Sequence, residues 1–173
     1  MVQFRDLKSN EIDCRVSTFN ENYLTILLYK DARVDQNILD ETVGAENWQR
    51  DHKELKNNIY CGISIWDETK KQWITKWDCG KESFTEAEKG EASDSFKRAG
   101  FNWGIGRELY TAPYIFIPLK DKEGKDNFEI KEKNNKKTTY TKFCVEAIQI
   151  TDKEITGLAI KNDKNKRVFV WKK

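Results

Sequence analysis

No stretch of the 173 residues fits GxxxxGK[ST], so the chain has no glycine-rich cradle for the phosphates of a nucleoside triphosphate. His52 is the single histidine, and no serine or cysteine has an evident local base, which leaves nucleophilic catalysis without its usual machinery. An isolated histidine at a strand start suits a surface or edge position. Cys14, Cys61, Cys79 and Cys144 lie far apart with no CxxC pair, the pattern of reduced, packed thiols rather than of a zinc site. The longest apolar run, Tyr23 to Tyr29, falls far short of the roughly 20 residues that a spanning helix needs, and nothing resembles a signal peptide. The chain is therefore expected in the cytosol, off the membrane and without a cofactor.

Excess charge is missing as well. Lys and Arg number 31 against 29 Asp and Glu, a net +2 that is too small to coat nucleic acid by bulk charge. Any such binding must come from local arrangement. The length favours one domain with a real core: residues 1–119 as the core, 120–137 as an exposed charged loop, and 138–173 as a β extension of the same domain. Residues 161–173 hold Lys161, Lys164, Lys166, Arg167, Lys172 and Lys173 against Asp163, either a solvated end or a source of non-specific phosphate contacts.

The strongest pattern present runs from Thr85 to Tyr110. Thr85 with Glu88 reads as a capping box, and Glu86, Glu88 and Glu91 favour the start of a helix through its dipole. Ala92, Phe96, Ala99 and Trp103 form one apolar stripe, with Lys97 and Arg98 on its two flanks. Gly100, Gly104 and Gly106 mark either a close approach of another backbone or ligand, or the end of the helix. Glu82, Glu86, Glu88, Glu91 and Asp94 together suggest a two-metal nuclease site, but the preference of helix starts for negative charge explains them more simply.

Taken in order, Ile12–Phe19 and Tyr23–Tyr29 alternate around a polar turn and predict a hairpin. Val34, Ile38, Leu39 and Val43 recur at helical spacing before Gly44, predicting a helix over 32–43. Period-two patterns over 49–55, 58–67 and 72–81 predict three antiparallel strands feeding the long helix; Tyr114–Leu119 is a short apolar segment, and 143–150, 154–162 and 167–171 predict further strands. The fold class is α+β: a curved antiparallel sheet with a long helix packed across it, in β-β-β-α order, plus a C-terminal β extension.

Asp94, then Phe96-Lys97-Arg98-Ala99, then Trp103-Gly104 after three residues, resembles the signature helix of the Rad-fifty-two superfamily of single-strand annealing proteins, above all its short phage, Sak-like members. Tyr29-Lys30-Asp31-Ala32-Arg33-Val34, the 39–48 stretch, Tyr60-Cys61-Gly62-Ile63-Ser64-Ile65 and Lys89-Gly90-Glu91-Ala92 resemble it in the same order, so the likeness covers roughly residues 10 to 118. It implies that Lys97 and Arg98 contact the DNA backbone in a groove around an oligomeric ring, with Tyr29 and Arg33 on a second side. Lys76 and Arg107 are further candidate phosphate contacts, each with an ordinary surface cation as the competing reading. Relatives in the eukaryotic branch carry a basic residue where this chain has Phe101, so a phosphate contact there is lost or replaced by stacking.

The function expected is ATP-independent binding of single-stranded DNA and annealing of complementary strands, in phage recombination or repair, by a homo-oligomeric ring or filament in the cytoplasm of a bacterial host. It is not expected to be an enzyme. Partners would be single-stranded DNA, further copies of the chain, and a phage exonuclease or a host single-strand-binding protein. The alternative is a phage interaction protein that uses the same fold to bind a host nuclease or defence factor. Six tryptophans, mostly assigned to core or subunit interfaces, include Trp66 and Trp73 beside a hairpin turn, where they could stack a base or dock a neighbour.

Overall fold

The alternation between Trp48 and Cys79 folds into an antiparallel meander. The computed structural model describes residues 2–80, 87–133 and 136–173, and its strands and two helices place the chain in the α+β class. A hairpin of β1 (Asp13–Phe19) and β2 (Tyr23–Tyr29) precedes α1 (Ala32–Val43). The meander is β3 (Trp48–Leu55), β4 (Asn58–Asp67) and β5 (Gln72–Cys79), followed by α2 (Ala87–Trp103). A 3-10 turn at Arg107–Thr111 leads to β6 (Ile115–Pro118), the short hairpin β7 (Lys131–Lys133) and β8 (Lys136–Thr138), and the strands β9 (Phe143–Thr151), β10 (Glu154–Asn162) and β11 (Arg167–Lys172).

These elements divide into two compact units. One holds the residues up to Asp6 with Asp31–Arg107, and the other holds Leu7–Lys30 with Glu108–Lys173.

In the first unit β4 is the central strand, paired without slippage to β3 (Trp48↔Ile65 through Leu55↔Asn58) and to β5 (Tyr60↔Cys79 through Asp67↔Gln72). Lys56 and Asn57 take φ of 53° and 59°, the left-handed pair that a two-residue hairpin turn requires. Ile63 and Ile65 of β4 are buried, as are Phe96 and Ala99 of α2, which packs against β4 and β5. Two glycines permit close approach. A Cβ on Gly80 would lie 2.2 Å from the Glu91 carbonyl oxygen of α2, and one on Gly62 would meet the Trp77 ring at 2.7 Å. Beside Gly80 the buried Glu91 carboxylate accepts a 2.6 Å hydrogen bond from the Ile59 amide, which ties α2 to the start of β4.

The glycines near the end of α2 act differently. Gly104 has φ 98°, its amide donates to the Phe101 carbonyl at 2.9 Å, and the Ile105 amide donates to the Gly100 carbonyl at 3.0 Å. This pair of bonds is a Schellman stop, so α2 ends at Trp103 rather than running to Tyr110. The Thr85–Glu88 capping box lies outside the described residues, as do Glu82 and Glu86.

In the second unit the hairpin joins the C-terminal strands in one six-stranded antiparallel sheet, ordered β11-β10-β9-β1-β2-β6. Strands 143–172 thus complete the sheet that β1 and β2 begin, instead of extending the meander. Hydrophobic alternation fixes which face of a hairpin is buried, while its neighbours depend on contacts more than 100 residues away, such as Asp13↔Cys144. The 120–137 segment, expected as an exposed loop, has a buried anchor: Phe128 meets Phe19 edge to face at 6.0 Å, and the Asn127 carbonyl accepts from Asn162 Nδ2 at 2.9 Å. One aromatic residue suffices to pin this charged run. The basic end is largely engaged at short range. Lys166 pairs with Asp121 at 2.7 Å and Arg167 with Glu146 at 2.6 Å, while Lys164 and Lys173 meet Glu129 and Glu154. All four cysteines are free thiols, and burial pushes Cys14 up to about 12 and Cys61 to about 11, so both stay protonated at neutral pH.

Candidate nucleic-acid interface

Helical geometry sets consecutive residues about 100° apart, so with Phe96 and Ala99 turned into the core, Lys97 and Arg98 leave α2 on opposite flanks. Lys97 is within electrostatic reach of the start of α1. There Asp31 is the N-cap, its Oδ1 accepting from the Arg33 amide at 2.8 Å, and the Arg33 guanidinium folds back on the same carboxylate at 2.8 and 3.2 Å. The hydrogen bonds from Arg33 hold the Asp31 carboxyl below the usual range, and the charge of Lys97 adds to the effect. Arg33 therefore pairs with this carboxylate directly, its side chain 82% exposed, while Lys97 acts on it through charge alone.

A carboxyl lowered on folding adds stability that is fully present above its unfolded pKa and is lost as pH falls through the folded one. Asp31→Ala is expected to cost about 1 kcal/mol at pH 7, the usual worth of a cap, and less near pH 2, where a carboxyl that takes up a proton keeps its cap bond and loses its attraction for Arg33 and Lys97. Asp31→Asn should keep most of the cap and lose the pH dependence. Urea denaturation of the three proteins at both pH values checks this, and an equal loss at both would refute it.

Arg98 turns to β5. Its Nε donates to Asp78 Oδ1 at 3.1 Å, and Asp78 Oδ2 accepts from Asn102 Nδ2 at the same distance. One turn on, the Asn102 carbonyl accepts from Lys76 Nζ at 2.8 Å and from Arg107 at 3.2 Å, and Arg107 also reaches the Phe101 carbonyl at 2.7 Å. Lys76 lies 4.6 Å from the centre of the Trp103 ring. Two cations thus sit on the last carbonyls of α2, where the negative end of its dipole attracts them. Asn102 links this pair to Arg98 through Asp78.

Over residues 4–128, a span that takes in the hairpin, the meander and α2 with all of these cations, the chain matches the Rad52/22 family of double-strand break repair proteins. It belongs to the Rad52/22 family. Membership carries with it DNA strand annealing in recombination and repair, and members bind single-stranded DNA and oligomerise. No curated protein and no solved structure matches the chain.

Five of the six residues singled out in this Rad52/22 chain lie in the first unit, in two groups: Arg33 with Lys97 at Asp31, and Arg98, Lys76 and Arg107 around Asp78 and Asn102. Tyr29 lies in the second unit, at the end of β2 opposite Asp13, with its ring exposed. Pattern reading missed Asp31, Asp78 and Asn102, the residues that orient the cations. Asp31 directly before a helical period is a legible N-cap signal. Asp78 and Asn102 carry none, because their roles depend on how α2 lies on β5. Of the acidic cluster, Glu91 is committed to the Ile59 amide. None of the six tryptophans is fully buried, and Trp73 is 41% exposed. Among the described residues no helix is long and apolar enough to cross a membrane.

Proposed function

We propose that this Rad52/22 chain is of the short, Sak-like phage type, binds single-stranded DNA along α2 and anneals complementary strands without ATP in phage recombination or repair. The observation that supports the reading best is the division of Lys97 and Arg98 to opposite flanks of one helix, each beside further cations. Phosphates following α2 would meet Arg33 and Lys97, then Arg98, Lys76 and Arg107, while Asp31 and Asp78 hold Arg33 and Arg98 in place before the strand arrives. Base edges left outward can then sample a second strand by Watson–Crick pairing. The protein organises the strand and hydrolyses nothing.

In this reading the meander and α2 form the β-β-β-α core of the groove, and identical subunits joined head to tail in a ring or filament lengthen it beyond one chain. A phage exonuclease or a host single-strand-binding protein would deliver or receive the strand in the bacterial cytoplasm.

Fluorescence anisotropy of a labelled oligonucleotide tests the site, with light scattering to verify unchanged oligomer size. Lys97→Ala should lower the slope of log affinity against log salt by about 1, and Lys97→Ala/Arg98→Ala by about 2. Equal binding by wild type and the double variant would remove the site from α2. An absence of binding by wild type would favour a host protein as the partner. Loss of the strand on incubation with magnesium would instead reveal a nuclease.

A further inference from the structure

Directly paired residues on neighbouring strands point to the same side of a sheet. The set Arg50, Ile63 and Lys76 points to α2, since the Arg50 guanidinium lies 5.3 Å from the Phe96 ring and Lys76 reaches the Asn102 carbonyl. The next set, Asp51, Gly62 and Trp77, therefore points away from α2. We propose that Trp77, seated on Gly62 and covered by Lys53, is a stacking seat for a base of a single-stranded nucleic acid on this second face.

The seat is a product of the missing side chain. A Cβ on Gly62 would stand 2.7, 2.8 and 2.8 Å from Cε2, Cδ2 and Cζ2 of the Trp77 indole. Three nearly equal distances to atoms at the ring fusion mean that the indole lies flat over Gly62, with its inner face sealed against the backbone of β4. Glycine in the middle of a strand weakens the strand and often marks a close approach. Here the approach is that of a large ring, which leans from the edge strand β5 across β4 toward β3.

The outer face of the ring has a different cover. Lys53 Nζ lies 4.4 Å from the ring centre, and since the inner face has no room, the ammonium sits on the outer one. The Lys53 side chain is 64% exposed and its carboxylate neighbour Asp51 is 4.0 Å away, so the cover is a solvated cation that can swing aside. Stacking a base on an indole is stronger than an exposed cation–π contact, so a base can displace the ammonium. The displaced Lys53 is then well placed to meet the phosphate of that nucleotide.

A second ring pair stands on the same face. Trp66 and Trp73 are paired across β4 and β5 and meet edge to face at 5.6 Å. Trp73 and Trp77 are four residues apart on one strand, hence about 14 Å apart at the rise of an extended chain. Between them the exposed Thr75, whose hydroxyl lies 2.7 Å from that of the buried Ser64, offers a polar atom to a base edge.

The inference rests on the single-stranded DNA reading but concerns a face that α2 does not occupy, and the test separates the two. Wild type bound to an oligonucleotide of 5-bromodeoxyuridine is irradiated and the crosslinked peptides are mapped. Crosslinks are expected on Trp77 and Trp73. By anisotropy with oligo(dT), Trp77→Ala should weaken binding about 5- to 100-fold with little change in salt slope, Trp77→Phe should weaken it less, and Lys53→Ala should lower the slope by about 1. Binding by wild type with crosslinks confined to α2 would overturn the seat and leave the α2 reading standing. Failure of wild type to bind would overturn both. Because the crosslink map uses the unaltered protein, it decides even if Trp77→Ala does not fold.

Discussion

Gly80→Ala is expected to destabilise the first unit by about 3 kcal/mol, at the upper end of what overpacking costs. The new Cβ would stand 2.2 Å from the Glu91 carbonyl oxygen, where about 3 Å is the closest real approach. The obstructing atom belongs to the backbone of α2, so no rotamer relieves the clash. Either β5 or the helix must retreat by most of an ångström. Retreat of the helix also stretches the 2.6 Å bond between the Glu91 carboxylate and the Ile59 amide. At roughly 4–8 °C per kcal/mol for a unit of this size, Tm should fall by about 12–24 °C. Gly124→Ala serves as a control: its added Cβ meets nothing, and only the left-handed φ of 77° opposes it, a cost of about 1–2 kcal/mol. A Tm shift for Gly80→Ala no larger than that of the control would show that α2 and β5 are not in rigid contact.

Phe96→Ala should cost about 3–5 kcal/mol, the range for removing a fully buried aromatic side chain. The ring is 1% exposed, with Trp48 at 6.2 Å and the Arg50 guanidinium at 5.3 Å, so truncation opens a cavity on the sheet side of α2. Phe96→Leu keeps most of the volume and should cost less than half as much. Denaturant midpoints with unchanged slopes would measure both, and a loss under 1 kcal/mol for alanine would mean that α2 repacks freely. Phe96 immediately precedes Lys97, so this experiment also shows how firmly the two basic residues are aimed.

Much of the local structure is legible without coordinates, for reasons that differ from element to element. The bounds 23–29, 32–43, 58–67 and 154–162 come directly from the pattern, because period two and period 3.6 are properties of short windows. The end of α2 is less legible: three glycines crowd it, and only the φ of Gly104 and its bonding pattern single out the stop. Sheet membership is not local at all, and the pairing of β1 with β9 leaves no mark on either strand. The cations show the same division. The pattern places Lys97 and Arg98 on the flanks of a helix, but the pairing of Arg98 with Asp78, and the use of Lys76 and Arg107 on helix carbonyls, arise only when α2 lies on β5. Gly62 is the least legible of all, since its meaning depends on a ring fifteen positions further along the chain.

The second unit is made from both sides of the first along the chain, and this orders events during synthesis. The hairpin of β1 and β2 leaves the ribosome early, while Phe143, which opens β9, follows Tyr29 by 114 residues (143 minus 29). At about 5–20 residues per second, β1 waits on the order of 10 s with one edge unpaired. An open strand edge is a template for other chains. A ribosome stalled between the meander and β9 would therefore display a sticky intermediate, and chaperone capture should peak at those chain lengths and fade once β10 has emerged.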